Sequence, residues 1–223
     1  IPGSDGNINS LEEAKLFADS IGYPVMLKAT NGGGGRGIRR CDNEKEMDSN
    51  FDRVISEATK AFGSPEIFIE KCVLTPKHIE VQVLADHHGN VVHLFERDCS
   101  IQRRNQKLIE IAPSPQLSED QRNYIGHLAV KAAEAVNYEN AGTVEFLLDS
   151  EDNFYFMEMN TRLQVEHTVT ESITGIDIVQ EQIRITSGII LKYKQEEITH
   201  RGYAIEFRIN AEDPKNDFLP SFG

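Results

Sequence analysis

The segment from Met157 to Glu166 alternates in polarity at every position. Its odd positions are mainly apolar, and its even positions carry two glutamates, an asparagine, a glutamine and an arginine. A period of two is typical of a half-buried β-strand, so we predict a strand from Phe154 to Val165. Solvated strand faces usually carry lysine, threonine or serine, and the groups found here therefore indicate a polar ligand rather than water alone.

Helix and strand signals along the chain predict an α+β fold. Capping residues followed by apolar residues at helical spacing predict four helices, which begin at Ser10, Asn43, Ser118 and Asp177. Strands are predicted at 23–29, 37–41, 67–72, 78–86, 91–99, 142–148, 154–165 and 203–210. We assign residues 1–72 to a small helix–strand unit and residues 73–223 to a larger, mostly antiparallel unit.

The acidic composition limits the partners of the protein. The formal net charge is -13, which argues against nucleic acid or an anionic membrane as a general partner. No stretch approaches the ~18 apolar residues that a membrane span requires. Cys41, Cys72 and Cys99 lack the spacing of a zinc site or a disulfide framework, which favours thiols in a reducing compartment. The opening residues Ile-Pro-Gly-Ser-Asp-Gly resemble the middle of a connection, so we expect a portion of a longer protein.

A hairpin turn at residues 150–153 brings two acids together. A turn centred between Glu151 and Asp152 places Glu145 directly opposite Glu158, where like charges repel. A divalent cation between the two carboxylates would relieve this repulsion, and the amide oxygen of Asn160 is next on the same face. These oxygen ligands suit Mg²⁺ or Mn²⁺. The alternative is a solvated face with a different register.

A run of glycines follows the first predicted strand. Gly32, Gly34 and Gly37 fit the pattern GxGxxG, but a strand rather than a helix follows them, which argues against a dinucleotide fold. A glycine loop between two strands can lay backbone N–H groups over phosphates, and Lys28 could reach the same phosphates. The alternative is a flexible surface turn.

Two further segments carry unusual charge patterns. The segment from Arg97 to Lys107 concentrates cations in an acidic chain, which indicates an anionic ligand or a solvated basic loop. In the last predicted strand Glu206, Arg208 and Asn210 share one face. The apolar residues of that strand are expected to face the core: Tyr203, Ile205, Phe207 and Ile209. We expect this strand and the strand after Phe154 to line opposite walls of a polar cleft.

Several motifs, taken together, resemble those of biotin carboxylases. They are the glycine loop, "HIEVQVLAD", "RDCSIQRRNQK", "GTVEF", "FMEMNTRLQVEHTVTE" and "RINAED", in this order. Biotin carboxylases are the ATP-grasp subunits or domains of biotin-dependent acetyl-CoA, propionyl-CoA and pyruvate carboxylases. The resemblance covers essentially the whole chain and implies an ATP-grasp fold, with a glycine-flap lid in residues 1–72 and a core in residues 73–223.

The resemblance also implies a reaction and roles for the polar residues. ATP phosphorylates bicarbonate to carboxyphosphate, whose CO₂ carboxylates biotin on a carrier protein. Glu166 is then the general base, and Arg208 stabilises the biotin enolate. Bicarbonate is held by Lys107, Arg162, Gln164 and the backbone of Val165, and the metal by Glu145, Glu158 and Asn160. The implied ATP contacts are Lys28, Gly33, Gly34, Gly35, Glu70, Lys71, Val73, His78, Gln102 and Asn105.

Two positions depart from the family pattern. Asn105 stands where the family usually has a histidine, and an asparagine cannot carry charge or titrate near neutral pH. Asn31 stands where the glycine run usually begins, which would stiffen the flap. Neither change affects the residues predicted for the metal, bicarbonate or the base.

The resemblance implies partners that this sequence does not contain. They are a biotin carboxyl carrier protein or domain and a carboxyltransferase, which chooses the final acceptor, in a parent that could be homodimeric and is cytoplasmic or mitochondrial. Because the family places a further lobe before Ile1, we expect residues 1–223 alone not to carboxylate biotin. Two alternatives remain open: another ATP-grasp ligase, similar to carbamoyl-phosphate synthetase, and a nucleotide-binding module without catalysis.

Overall fold

The chain forms two compact units in a computed structural model that describes residues 1–32, 37–103 and 106–221. The units comprise Ile1–Leu74 and Thr75–Gly223, so the division falls two residues beyond the predicted position. Gly33, Gly34, Gly35 and Asn105, which the sequence predicts to contact ATP, lie outside the described residues. No helix in the described ranges is both long enough and apolar enough to cross a membrane.

The first unit packs two helices on a three-stranded antiparallel sheet. Its elements are α1 (Leu11–Ile21), β1 (Val25–Ala29), β2 (Ile38–Cys41), α2 (Glu44–Phe62) and β3 (Ile67–Lys71), with the strand order β2-β1-β3. Ser10 and Asn43 cap the two helices, as predicted, because each side-chain oxygen accepts from a backbone N–H three residues on. The core lies between sheet and helices, where Leu27, Met47 and Ile69 are fully buried.

The second unit is built on a six-stranded antiparallel sheet with the order β8-β7-β4-β5-β6-β9. Its main elements are β4 (Lys77–Ala85), β5 (Val91–Arg103), β6 (Gln106–Ala112), α3 (Glu119–Ala135), β7 (Asn140–Leu148), β8 (Phe154–Asn160), α4 (His167–Thr174), α5 (Ile178–Thr186) and β9 (Ala204–Phe207). Two short strands, β10 (Glu212–Asp213) and β11 (Leu219–Pro220), pair separately, and Gln195–Glu197 and Pro214–Asn216 form single 3₁₀ turns.

Helices cover both faces of the central strand β4. Odd-numbered residues of β4, such as Ile79 and Val81, pack in one core cluster with Ile125 of α3. Leu84, an even-numbered residue, packs in a second cluster with Ile178 of α5. Strand β4 is therefore buried on both sides, and any polar side chain at an even position must find a partner inside the protein.

The structure corrects the predicted strand from Phe154 to Val165. Strand β8 ends at Asn160, residues 161–166 form an irregular connection that ends in a turn, and α4 starts at His167, where no helix is predicted. An alternation of polarity describes the side chains and does not specify the backbone conformation, so the same pattern can continue through a turn. Metal, bicarbonate and base residues therefore do not share one strand as the alternation implied. Strand β6 is a further addition to the predicted strands; only Gln106 and Lys107 of it belong to the basic segment that the sequence interprets as an anion site or a solvated loop.

The last predicted strand is corrected in two respects. Tyr203, Ile205, Phe207 and Ile209 are exposed by 53% or more of their surface rather than facing the core. The reason is that α4 packs against the opposite face of β9, which carries Ala204 and Glu206. Moreover, β8 and β9 are the two edges of one sheet and not opposite walls of a cleft.

Candidate active site

Glu145 of β7 is paired directly with Glu158 of β8, as predicted. The loop between the strands differs from the prediction, since Leu148 pairs with Phe154 and the connection has an odd number of residues. A register shift beyond Phe146 inserts Met157 as an extra residue in β8. This bulge restores the predicted pairing of the two glutamates.

The buried Glu145 carboxylate is the acceptor for four side chains. His78 Nε2 lies 2.7 Å from Oε2, and Oε1 accepts from Lys107 Nζ at 3.0 Å. Oε1 also accepts from Asn160 Nδ2 at 2.8 Å and Gln164 Nε2 at 3.1 Å. Burial alone would raise the pKa of Glu145, but the bond from His78 and the positive charge of Lys107 outweigh it and lower the pKa to about 2.

Glu158 has a different environment from Glu145. Its side chain is exposed, and no hydrogen bond or ion pair holds it among the residues that the structure describes. Asn160 uses its amide nitrogen on Glu145, so its amide oxygen is available as a ligand. Two carboxylates in register, one of them open to solvent, and one amide oxygen are a donor set that fits Mg²⁺ or Mn²⁺.

Lys107 of β6 lies among three buried carboxylates. Its Nζ is 2.5 Å from Glu80 Oε2, 2.7 Å from Glu166 Oε1 and 3.0 Å from Glu145 Oε1. Burial would lower the pKa of Lys107, but the three carboxylates raise it well above its ordinary value. Lys107 therefore stays charged over the whole physiological range.

Glu166 stands at the N-terminus of α4 between two cations. Its Oε1 accepts from Lys107, and its Oε2 accepts from Arg208 Nη2 at 2.8 Å. Arg208 also donates to the buried Glu110 of β6 at 2.6 Å. The negative charges of Glu166 and Glu110 outweigh the effect of burial and raise the pKa of Arg208. Strand β6 thus carries Lys107, one of the two cations that hold Glu166, and Glu110, which holds the other.

The remaining residues predicted to hold bicarbonate are only partly gathered at this cluster. Gln164 is buried and contacts Glu145, whereas Arg162 and Val165 are exposed. The Arg162 guanidinium donates only to the neighbouring carbonyl of Leu163, at 3.2 Å, among its described contacts. Arg162 is therefore free to meet a ligand from solvent.

His78 and Gln102, both predicted to lie near ATP, are brought together. Gln102 Nε2 donates to His78 Nδ1 at 2.8 Å, so the histidine proton lies on Nε2 and points to Glu145. The Gln102 side chain is in turn bound to the carbonyl of Cys99 at 2.9 Å. This chain of contacts sets the orientation of His78.

In the first unit, three predicted ATP residues have local partners. Lys28 Nζ forms an ion pair with Glu70 Oε2 at 2.6 Å across neighbouring strands β1 and β3. Lys71 Nζ instead donates to the carbonyl oxygens of Gly22 and Tyr23, at 2.6 and 3.2 Å. Val73 is partly buried. Their roles in nucleotide binding stay predictions.

Three buried residues that support the site are absent from the predicted site residues: Glu80, Arg97 and Glu110. Arg97 belongs to the segment for which the sequence predicts an anionic ligand or a solvated loop, yet it is fully buried. A glutamate flanked by Ile79 and Val81 in a strand that is buried from Ile79 onward is the signal that could have revealed Glu80.

A family model described as carbamoyl-phosphate synthase L chain, ATP binding domain, matches residues 1–194. The chain therefore belongs to this family, and it has the ATP-grasp fold of the α+β class that the resemblance implied. Within the family, its similarity is to biotin carboxylases over its whole length, which confirms the resemblance.

Individual relatives give the same result. The chain is 60% identical to the 2-oxoglutarate carboxylase small subunit of Hydrogenobacter thermophilus, over 100% of this chain and 47% of that protein. It is 56% identical to a biotin carboxylase of Nostoc sp., over 100% of this chain and 50% of that protein. The chain thus spans about half the length of the curated relatives it matches.

Solved structures are equally similar. The biotin carboxylase domain dimer of the Hydrogenobacter thermophilus 2-oxoglutarate carboxylase, in complex with MgADP, ADP and bicarbonate, has a TM-score of 0.93 at 60% identity. The match covers 99% of this chain and 49% of that one. A biotin carboxylase complex from Campylobacter jejuni has a TM-score of 0.93 at 53% identity, with 99% and 49% covered.

Proposed function

We propose that the protein containing this chain is the biotin carboxylase component of a biotin-dependent carboxylase. It would use ATP and bicarbonate to carboxylate biotin on a carrier protein. The observation that carries the proposal is Glu166, a buried carboxylate whose two oxygens accept from Lys107 and Arg208. A base held between two cations suits the removal of a proton from an anion, since the cations hold that anion beside the base.

The first step would join bicarbonate to the γ-phosphate. Glu166 takes the hydroxyl proton of bicarbonate, a bicarbonate oxygen bonds to phosphorus, and the bond between phosphorus and the bridging oxygen of ADP breaks. An anion that draws the Lys107 ammonium to itself frees Glu166 Oε1 for this proton. Gln164, Arg162 and the backbone N–H of Val165 would supply further donors to bicarbonate.

The second step would transfer the carboxyl group. Carboxyphosphate divides into CO₂ and phosphate, the phosphate takes the N1 proton of biotin, and N1 bonds to the carbon of CO₂. Negative charge develops on the ureido oxygen of biotin as the proton leaves. Arg208 would stabilise this charge, because it is a fixed cation on the same side of the cluster as the base.

The metal and nucleotide contacts complete the proposal. Glu145, Glu158 and Asn160 would hold Mg²⁺ or Mn²⁺, which neutralises charge on the phosphates when it is bound. The residues proposed to contact ATP remain Lys28, Gly33, Gly34, Gly35, Glu70, Lys71, Val73, His78, Gln102 and Asn105.

The proposed partners follow from the reaction. A biotinylated carrier protein or domain must deliver biotin, and a carboxyltransferase must pass the carboxyl group to the final acceptor. A homodimeric parent is supported by the related biotin carboxylase domain, which is a dimer in its crystal structure. We propose that the protein is cytoplasmic, or mitochondrial if it is a eukaryotic carboxylase. Relatives of this chain include a chloroplastic and a mitochondrial protein.

The test is ATP cleavage by the full-length protein, measured as ADP formation with bicarbonate and free biotin each present or absent. We expect cleavage that requires bicarbonate and rises with biotin. Bicarbonate-dependent cleavage that biotin does not stimulate would instead favour a ligase similar to carbamoyl-phosphate synthetase. Nucleotide binding without bicarbonate-dependent cleavage would favour a catalytically silent module.

A further inference from the structure

Arg97 of β5 is a fully buried arginine whose five N–H groups are all used. Its Nε donates to Glu80 Oε1 at 2.5 Å. Its two terminal nitrogens donate to Gln82 at 2.8 Å, Thr170 at 2.9 Å, Thr143 at 3.2 Å and Gln164 at 3.2 Å. These partners come from β4, β7, α4 and the turn before α4, so one side chain joins four parts of the second unit.

One of these bonds decides which end of the Gln164 carboxamide is a donor. Arg97 has no acceptor, so the atom of Gln164 that meets it must be the oxygen, Oε1. The amide nitrogen is thereby turned to Glu145, to which it donates at 3.1 Å. A reversed carboxamide would place an oxygen against the Glu145 carboxylate and would offer an acceptor to an anion. Arg97 excludes that orientation.

A second bond leads to Lys107. Both oxygens of the buried Glu80 are taken, Oε1 by Arg97 and Oε2 by Lys107 at 2.5 Å. Because Arg97 orients this carboxylate, it also sets the place of the ammonium that Glu80 holds. The two groups that Arg97 orients, Gln164 and Lys107, are both donors proposed to bind bicarbonate.

We propose that Arg97 is a positioning residue for the bicarbonate site, which it arranges through Gln164 and Glu80 without contacting the substrate. This inference rests on the proposed function. A lysine at position 97 would keep the charge beside Glu80. It would lack the planar fork that reaches Gln164 and Thr143, since an ammonium has only three donors on one nitrogen.

The test compares Arg97→Lys with Arg122→Lys in the full-length protein. Arg122 is a matched control, because it is also a buried arginine paired with a buried glutamate, Glu96, at 2.9 Å. Its other partners, Glu119 and two backbone carbonyls, do not belong to the site. We expect Arg97→Lys to raise the KM for bicarbonate about tenfold while the KM for ATP changes by less than about twofold. Arg122→Lys should leave both values within about twofold.

A double variant tests the route through Gln164. In the Gln164→Ala background, Arg97→Lys should raise the KM for bicarbonate clearly less than in the wild type, because the two changes remove one shared arrangement. Full additivity, an equal effect of Arg122→Lys, or an unchanged KM in Arg97→Lys would each overturn the proposal. If Arg97→Lys does not fold, Thr170→Val removes one acceptor of Arg97 and should produce a smaller rise of the same selectivity.

A crystal structure of Arg97→Lys separates this proposal from the proposed function. If the wild type shows no bicarbonate-dependent cleavage, the proposed function fails. The crystal structure of Arg97→Lys then still tests whether Arg97 orients the Gln164 carboxamide. We expect the Gln164 carboxamide to lose its contact with Glu145 in the variant. A carboxamide that keeps this contact would overturn the positioning role.

Discussion

The guanidinium of Arg208 lies 2.8 Å from the carboxylate of Glu166, although 42 positions separate them in the sequence. Together with Lys107 on the other oxygen, this ion pair holds the proposed base in one orientation. The pair exists because β9 and β6 are neighbours in the sheet and α4 begins beside them. The position of Arg208 beside the proposed base therefore depends on the pairing of β9 with β6.

Replacing Glu166 with glutamine should lower bicarbonate-dependent ATP cleavage by about 10²- to 10⁴-fold, the range typical of a removed general base. Glutamine keeps the size of the side chain but cannot accept the proton. Glu181→Gln is the control, since Glu166 and Glu181 are equally buried, at 2% exposure. Among the described residues, the polar partners of the Glu181 carboxylate are Tyr193, Arg184 and Lys192, which lie outside the site. Steady-state rates that fall equally in both variants would argue against the assigned base.

Replacing Glu158 with glutamine should raise the Mg²⁺ concentration needed for half-maximal ATP cleavage, by about tenfold or more. The folded protein should lose less than about 0.5 kcal/mol, because this carboxylate is exposed. Glu151→Gln, in the turn of the same hairpin, should leave the Mg²⁺ dependence unchanged. A normal Mg²⁺ titration in Glu158→Gln would remove Glu158 from the metal site.

Replacing Lys107 with methionine should destabilise the protein by about 3–5 kcal/mol, because buried carboxylates lose their shared cation. Lys107→Arg keeps the charge and should lose clearly less. Lys131→Met, on the exposed side of α3, is the control and should change stability by less than about 0.5 kcal/mol. Urea unfolding of the variants at pH 7 measures these differences, and a stable Lys107→Met would show that the cluster does not need its lysine.

The stability of the protein should depend on pH through His93. Its ring is buried over the bare Cα of Gly126 and against the ring of Phe95. Burial, and secondarily the nearby His127 of α3, lower the pKa of His93 from 6.5 to about 4. Below pH 6.5 the unfolded chain protonates His93 before the folded protein does. The free energy of unfolding therefore keeps the full contribution of neutral His93 above pH 6.5 and loses about 3 kcal/mol of it as the pH falls to 4.

His93→Gln should weaken the pH dependence of unfolding between pH 6.5 and 4, because glutamine does not titrate. The exposed His88 provides the control, and His88→Gln should keep the wild-type profile. The measurement is the midpoint of urea unfolding of the wild type and both variants at several pH values in this range. A His93→Gln profile as steep as that of the wild type would show that other groups cause the loss.

Local patterns were sufficient for much of the fold. The caps at Ser10, Asn43, Ser118 and Asp177 each begin a helix, because a side-chain oxygen and its N–H partner are only three residues apart. The pairing of Glu145 with Glu158 was also predicted correctly, although the bulge at Met157 was not. An alternating pattern specifies which face a side chain occupies, and it is silent on where the strand ends.

The family of this chain, its α+β class and the identities of the polar groups could be predicted from local spacing and motifs. The burial of Arg97, the position of Glu166 directly before α4 and the exposure of Tyr203 and Ile209 are known from the folded chain alone. Each of these facts depends on which distant strand or helix lies beside the residue. Whether a charge is buried or exposed is set by such non-local packing, and the side chain alone does not contain that information.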